Sequence, residues 1–500
     1  MNPLNILSKN ILPLVSAFLL ILSFPKADIY WFAWIALVPL LIVLNQQMSA
    51  ADGFKKAYFC GFVFFLGVLY WLYHVTVAGL ILLAAYLALY FGLFGWAYVF
   101  FKPLSPGLKL LVIPASWVAC EFLRGHLLSG FTLGSLGLTQ YRFLPIIQVA
   151  DITGMAGVSF LIALFNEVVR QKFKIGWRIF PVTVLFIIVF IYGHHQLSIP
   201  LSDRVGSFLE RETLKVAVIQ GNVDQNKKWE TDNWDYLLQT HEVLTRQAAE
   251  MKPDLIVWPE TSFPGFLWDD LPLFNTLKSF TEEINIPLLF GAVTHEKEKY
   301  FNSALLLKKD EPIEQYDKMH LVAFGEYIPL RRYLPFLVEI IPIEDFTSGQ
   351  SWNLFSLKDK HFAALICFED TAPDLVRTFT QKGAHFFVNI TNDAWFGDSS
   401  EPTMHWQSSI FRAVENRRPM VRAANTGISG LINEKGEVVT RVENAQGKPT
   451  YVEGYALGEL KMWSTGSFYT KHGEFFTYIC FLCILVCTII KQFRKRDLSV

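Results

Sequence analysis

The apolar run Phe362-Ala363-Ala364-Leu365-Ile366 has the length of a strand and stops at Cys367, which is followed at once by Phe368, Glu369 and Asp370. A strand that ends in a thiol beside carboxylates presents a nucleophile to a cleft. Cys367 is the only cysteine in the polar part of the chain, since Cys60, Cys120, Cys480, Cys483 and Cys487 all lie in strongly apolar segments. A structural disulfide is therefore not its evident purpose. A buried thiol also serves as a small hydrophobe, and Cys367 alone does not decide between the two. Two more strand ends bear on the choice: Glu260 follows Leu255-Ile256-Val257-Trp258-Pro259, and Lys318 closes residues 313–317. Taken singly, a glutamate or lysine there is most often a solvated loop residue. A carboxylate, an ammonium and a thiol at three strand ends are together the parts needed for acyl transfer. Glu260 would take the thiol proton, Cys367 would attack a carbonyl, and Lys318 with the backbone N–H of Phe368 would stabilise the oxyanion.

The elements that must position these residues lie in a polar region whose hydrophobic pattern alternates between short β-like runs and amphipathic helical stretches. Residues 214–220, 254–258, 287–293, 303–307, 362–367, 386–390, 419–423 and 430–432 read as strands, and 236–251, 271–284, 374–382 and 403–416 as helices. That alternation predicts an α/β domain, with no internal repeat evident. The rest of the chain is different. Of 500 residues 52% are hydrophobic, the mean hydropathy is +0.31, and the net charge of −1 hides charges gathered mostly between Asp203 and Lys471 and at the C-terminus. Such a distribution argues against nucleic acid and for a membrane part joined to a globular part.

Eight apolar segments, 11–24, 29–44, 57–73, 79–101, 108–122, 155–169, 179–192 and 475–490, approach the roughly 17–25 residues that cross a bilayer. Basic residues collect on one set of flanks, from Lys9, Lys55 and Lys56 to Lys491 and Arg494, while the opposite short loops hold only Lys26, Arg124 and Arg142. With the basic flanks in the cytoplasm, the polar domain lies outside it. The expected division is a transmembrane domain of about seven helices over 1–195, the α/β domain over 196–470, and a last membrane helix with a basic tail over 471–500. The stretch 121–153 is too long for a simple turn and reads as surface-lying structure, an interfacial helix or lid, or else a plain connector.

Trp258-Pro259-Glu260, Tyr316-Asp317-Lys318 running on to Phe324-Gly325-Glu326-Tyr327, and Ile366-Cys367-Phe368-Glu369 resemble the Glu-Lys-Cys signature of the carbon-nitrogen hydrolase (nitrilase) superfamily. With its membrane segments the whole chain resembles the bacterial apolipoprotein N-acyltransferase family. Supporting stretches are Val218-Ile219-Gln220-Gly221-Asn222, residues 389–397 and residues 418–427. The resemblance implies an αββα sandwich inserted before the last transmembrane helix, on the periplasmic face of the inner membrane. It also implies a phospholipid acyl donor, typically phosphatidylethanolamine, and a diacylated apolipoprotein as acceptor. By motif, Glu260 would be the general base, Lys318 the oxyanion stabiliser and Cys367 the acylated nucleophile. Glu326 and Glu369 match further family carboxylates, and Trp229 and Trp395 match aromatic positions in loops around the cleft. The chain departs from the family pattern at Phe368, where tyrosine is frequent, and at Met319 and Ala323, where histidine and proline are common.

An acyl thioester must be kept from water, and Phe263, Phe266, Leu267, Trp268, Trp395 and Phe396 are the apolar candidates for that task. The competing enzyme reading is a membrane-anchored amidase or nitrilase acting on a small molecule. A transporter or receptor whose outer domain only binds is a third. No metal or organic cofactor is expected, because the histidines show no ligand spacing.

Overall fold

The computed structural model describes residues 3–171, 176–177, 179–199, 213–225, 231–328, 345–462 and 466–497. The chain divides into two compact units, one of Met1–Ile199, Ser399–Gln407 and Ser467–Val500, the other of Pro200–Asp398 and Ser408–Gly466.

In the first unit all eight apolar segments are helical. Among the described residues, four helices are long and apolar enough to cross a membrane: Val77–Phe101, Pro106–His126, Ile179–Ser198 and Phe475–Arg494. The segment at 29–44 is broken into Tyr30–Phe32, Ala33–Ala36 and Val38–Leu44. Asn166 holds it, its Oδ1 accepting the Leu37 N–H at 2.9 Å and its Nδ2 donating to Ala33 O at 2.9 Å. Such side-chain partners satisfy backbone groups that a broken helix leaves open. Met155–Gln171 has 17 residues, and Ala50–Val68 carries Asp52, Lys55 and Lys56 near its start. Eight apolar runs therefore yield four helices that meet the length and composition of a span.

Much of the stretch 121–153 is interior, although Leu127, Leu128 and Ile152 are exposed. Leu133, Leu136, Leu138, Tyr141, Ile146 and Ile147 are buried. Its backbone is tied inward by Leu136 N to Glu121 Oε1 at 2.7 Å and Gly137 N to Ser159 Oγ at 2.9 Å. Its apolar residues have no helical period because the segment is a chain of short turns, Leu136–Gln140, Leu144–Ile147 and Ala150–Thr153, that fill space between helices.

The second unit contains two six-stranded sheets. The first has the order β12-β1-β2-β3-β4-β5, with β1 Thr213–Gln220, β2 Leu255–Val257, β3 Leu288–Glu296, β4 Lys299–Leu307, β5 Glu314–Asp317 and β12 Gly454–Lys461. The second has the order β11-β10-β9-β8-β7-β6, with β6 Phe355–Leu357, β7 Lys360–Ile366, β8 Phe386–Thr391, β9 Met420–Ala424, β10 Gly430–Ile432 and β11 Val438–Arg441. β1, β2 and β3 are parallel and need crossovers, which the helices Trp234–Ala249 and Leu271–Ile284 supply. β7, β8 and β9 repeat the arrangement with Pro373–Gln381 and Glu401–Asn416. Each sheet then adds two antiparallel strands on one side and one on the other. The two halves thus share a topology that the sequence, lacking a visible repeat, conceals.

The strands pack by alternation. Ala217 and Ile219 of β1, Ile256 of β2, Phe290 of β3 and Leu305 of β4 form one core with Leu238, Leu244, Leu277 and Phe280 of the two covering helices. Phe263 and Leu267, expected to shield a thioester, are buried in this same core, and Trp268 packs against it. β3 and the segment after β2 approach closely at Gly291. A methyl group there would lie 2.5 Å from Thr261 N and 2.7 Å from Glu260 Cα.

Gly291→Ala is expected to cost about 1–3 kcal/mol, because backbone atoms must move to admit the methyl. Gly325→Ala, whose methyl would lie 3.4 Å from Val322 Cγ1, should stay within about 0.5 kcal/mol. Thermal unfolding of the two variants in detergent measures the difference, and equal midpoints would mean that Gly291 is not tightly confined.

Candidate active site

Glu260 stands just past β2, where the chain keeps pairing with β3 through Gly291 N to Pro259 O at 3.2 Å and Phe263 N to Gly291 O at 3.0 Å. The next residue, Thr261, has φ +46°. Left-handed backbone is rare for a β-branched residue and is kept only where its surroundings fix it. The buried Glu260 carboxylate accepts Asn302 Nδ2 at 2.7 Å on Oε1 and the Asn392 N–H at 2.9 Å on Oε2.

Lys318 follows β5. Its N–H donates to Asn302 O at 2.9 Å, and its carbonyl accepts from Gly349 N at 2.8 Å. Its side chain is 1% exposed, with Nζ 2.8 Å from Glu326 and 4.0 Å from Glu260 Oε1. Glu326 is fixed in turn by Asn302 Nδ2 at 3.0 Å and the Val322 N–H at 2.9 Å, on a tight turn in which Phe324 has φ +63°. Burial disfavours the Lys318 ammonium, but the Glu326 carboxylate above all, with Glu260 beside it, outweighs burial, so the pKa lies above the ordinary lysine value. Lys318 is a fixed cation.

Cys367 comes one residue after β7 with φ +55°. The left-handed turn costs a non-glycine residue roughly 1–2 kcal/mol. Its carbonyl accepts from Asn389 Nδ2 at 2.9 Å, and Asn389 Oδ1 accepts from the buried Arg422 Nη1 at 2.8 Å. Burial, and then the negative charge of Glu260, push the thiol well above its ordinary pKa; Lys318 offsets this only in part, and Glu326 and Asp393 add to the rise. The half-buried Cys367 is therefore a neutral thiol near pH 7 that needs a base.

Glu369 is wholly buried and joins two of these segments. Its Oε1 accepts from Tyr316 OH at 2.8 Å, Met319 N at 2.8 Å and His320 N at 3.0 Å, and its Oε2 accepts from Ile366 N at 2.8 Å. The loop carrying Lys318 and the turn carrying Cys367 thus share one carboxylate. Burial raises the pKa of Glu369, opposed by the Ile366 and His320 N–H groups, the Lys318 charge and the Tyr316 hydroxyl. Beneath the turn, Arg422 reaches Asp370 at 3.3 Å and Asp393 at 3.2 Å.

Five of the expected residues, Glu260, Lys318, Cys367, Glu326 and Glu369, are thus brought together. Phe368 is half-buried, its ring 5.8 Å from that of Phe396. Trp395 is exposed on the turn Asp393–Phe396, and Trp229 lies outside the described residues. Tyr316 and Arg422 stand in stretches that carry the resemblance but have no role read from sequence, and Asn302 is not singled out at all. Asn302 precedes the run 303–307 and passes for a loop polar group, although β4 extends back to Lys299. The supporting stretches gain a physical meaning here, since Asn425 links Val223 and Asn392 by hydrogen bonds of 2.8 and 3.1 Å.

A neutral thiol, a buried carboxylate and a fixed ammonium within one another's electrostatic reach suit nucleophilic attack on an acyl carbonyl. Residues 16–168 match the model of the apolipoprotein N-acyltransferase N-terminal domain, and residues 215–461 match that of carbon-nitrogen hydrolase. An amidase of the nitrilase superfamily from Nesterenkonia aligns at 17% identity with a TM-score of 0.39, covering 51% of this chain and 94% of the amidase. The apolipoprotein N-acyltransferase of Chlorobaculum tepidum is 29% identical over 97% of this chain and 97% of its own length. That of Geobacter metallireducens is 36% identical over 98% of this chain and 96% of its own. On this likeness, which runs through both the apolar helices and the α/β sandwich, the chain belongs to the apolipoprotein N-acyltransferase family.

Proposed function

We propose that this enzyme moves an acyl chain from a membrane phospholipid, of the phosphatidylethanolamine kind, to the α-amine of the diacylglyceryl-cysteine that begins an apolipoprotein. Glu260 is the base, Cys367 the nucleophile and Lys318 the oxyanion stabiliser. The observation that carries this reading is the convergence of Glu260 and Lys318 on a thiol whose neutral form is favoured.

In the first half-reaction Glu260 takes the Cys367 proton as sulfur attacks the ester carbonyl, and the tetrahedral oxyanion is stabilised by the Lys318 ammonium. Collapse breaks the ester C–O bond, Glu260 returns the proton to the leaving alkoxide, and a thioester and a lysophospholipid remain. In the second half-reaction the lipoprotein amine attacks the thioester. Glu260 accepts the amine proton and passes it to the departing thiolate, so the amide forms and Cys367 is regenerated. Glu326 keeps Lys318 in place, and Glu369 keeps the loops of Lys318 and Cys367 at a fixed spacing. Exposed Phe266 and Trp395 are candidates for contact with acyl chains. The four apolar helices support a catalytic unit held at a bilayer, and the basic flanks of the apolar segments support a periplasmic position for it.

Incubating the purified enzyme with phospholipid should add one acyl group to Cys367, read by mass spectrometry of its peptide, and a diacylated lipopeptide should then become triacylated. Cys367→Ala should give neither product. An adduct that persists in that variant, or ammonia released from small amides without transfer from phospholipid, would sink the proposal. Because the thiol titrates above its ordinary range, thiolate absorbance of Cys367, taken as wild type minus Cys367→Ala, should be absent at neutral pH and rise only on the alkaline side. A thiolate already present at pH 7 would contradict the need for Glu260. Glu369→Gln keeps the shape but replaces acceptors with an amide; we expect at least about a tenfold loss of acylation rate, as for breaking a buried charged network.

A further inference from the structure

Asn302 lies in β4, 4% exposed, and touches three of the groups around the reaction centre. Its Nδ2 donates to Glu260 Oε1 at 2.7 Å and to Glu326 Oε1 at 3.0 Å, while its carbonyl accepts the Lys318 N–H at 2.9 Å. Its Oδ1 is buried and has no hydrogen-bond partner among the described residues. A side chain retained for stability would not be expected to leave a carbonyl oxygen in that state, since a buried acceptor with no donor is destabilising. Turning the amide over would set Oδ1 against two carboxylates. The orientation therefore serves the two N–H donors.

We infer that Asn302 is a positioning residue that fixes the Glu260 and Glu326 carboxylates in separate places, one N–H to each, so that Glu260 accepts the Cys367 proton while Glu326 retains Lys318. The inference rests on the triad reading given above. Because both N–H groups belong to one amide, neither carboxylate can swing into the other's place without losing a buried charge-assisted hydrogen bond, and Lys318 stands between them, 2.8 Å from Glu326 and 4.0 Å from Glu260.

The test compares Asn302→Leu, which removes the donors at similar volume, Asn302→Asp, which also adds a charge, and Asn302→Gln, which keeps the donors on a longer arm. For each full-length protein the rate of Cys367 acylation by phospholipid and the rate of Cys367 alkylation by iodoacetamide are measured at neutral pH. Losing the donors should lower the acylation rate at neutral pH at least about tenfold in Asn302→Leu and further in Asn302→Asp, with KM for phospholipid changed less than about twofold and alkylation slowed in the same order. Asn302→Gln should recover part of both rates. Wild-type rates in Asn302→Leu would overturn the inference, as would a loss just as large in Asn302→Gln. Failure of the wild type to form an acyl adduct would instead count against the triad reading, and the alkylation rates would still decide the role of Asn302.

Discussion

A lysine ammonium taken almost wholly out of water must be compensated, and the α/β unit is arranged around that requirement. An isolated charge in such a place would lose its proton or the fold. Lys318 is kept charged by Glu326 in contact and Glu260 at 4.0 Å. Of those carboxylates Glu260 is buried and Glu326 nearly so, and both need donors, supplied by Asn302, Asn392 and the Val322 backbone. The same charges decide the state of Cys367, whose thiol is held neutral by burial and by Glu260. Geometry and electrostatics are one problem here, because moving any member leaves another buried charge without its partner.

The duplicated sheet topology shows where such a cluster can be built. Both sheets are parallel at their centres, and side chains past the carboxyl ends of neighbouring parallel strands meet in a common crevice. Glu260 follows β2 of the first sheet and Cys367 follows β7 of the second. Glu369 ties the second sheet back to the loop after β5. The backbone pays for this convergence with left-handed conformations at Thr261, Phe324 and Cys367, the places where the chain turns sharply to aim a group inward.

Membership of the apolipoprotein N-acyltransferase family gives the apolar unit a reason to exist. Acyl chains are insoluble, so an enzyme that transfers one to an apolipoprotein has use for helices that can lie in a bilayer. The broken helix around Asn166 and the buried turns of 133–147 make this unit a packed body rather than a set of separate anchors.

The sequence by itself determined the two-part plan, the α/β class, the strands that end at Glu260, Lys318 and Cys367, and the family. Hydrophobic period and a few chemically demanding residues at strand ends are local signals, and they survive without a fold. What it misjudged were matters of surroundings. Phe263 and Leu267 look like a lid and are core, 121–153 looks superficial and is in large part buried, and eight apolar runs look alike although, among the described residues, four helices have the length and composition of a span. Only the tertiary structure decided that Asn302 faces two carboxylates, that Glu369 is shared between two loops, and that Cys367 sits in a left-handed turn. The physical reason is that these facts depend on contacts between residues 24 to 53 positions apart, and on φ angles imposed by packing, neither of which has a period or a spacing to be read along the chain.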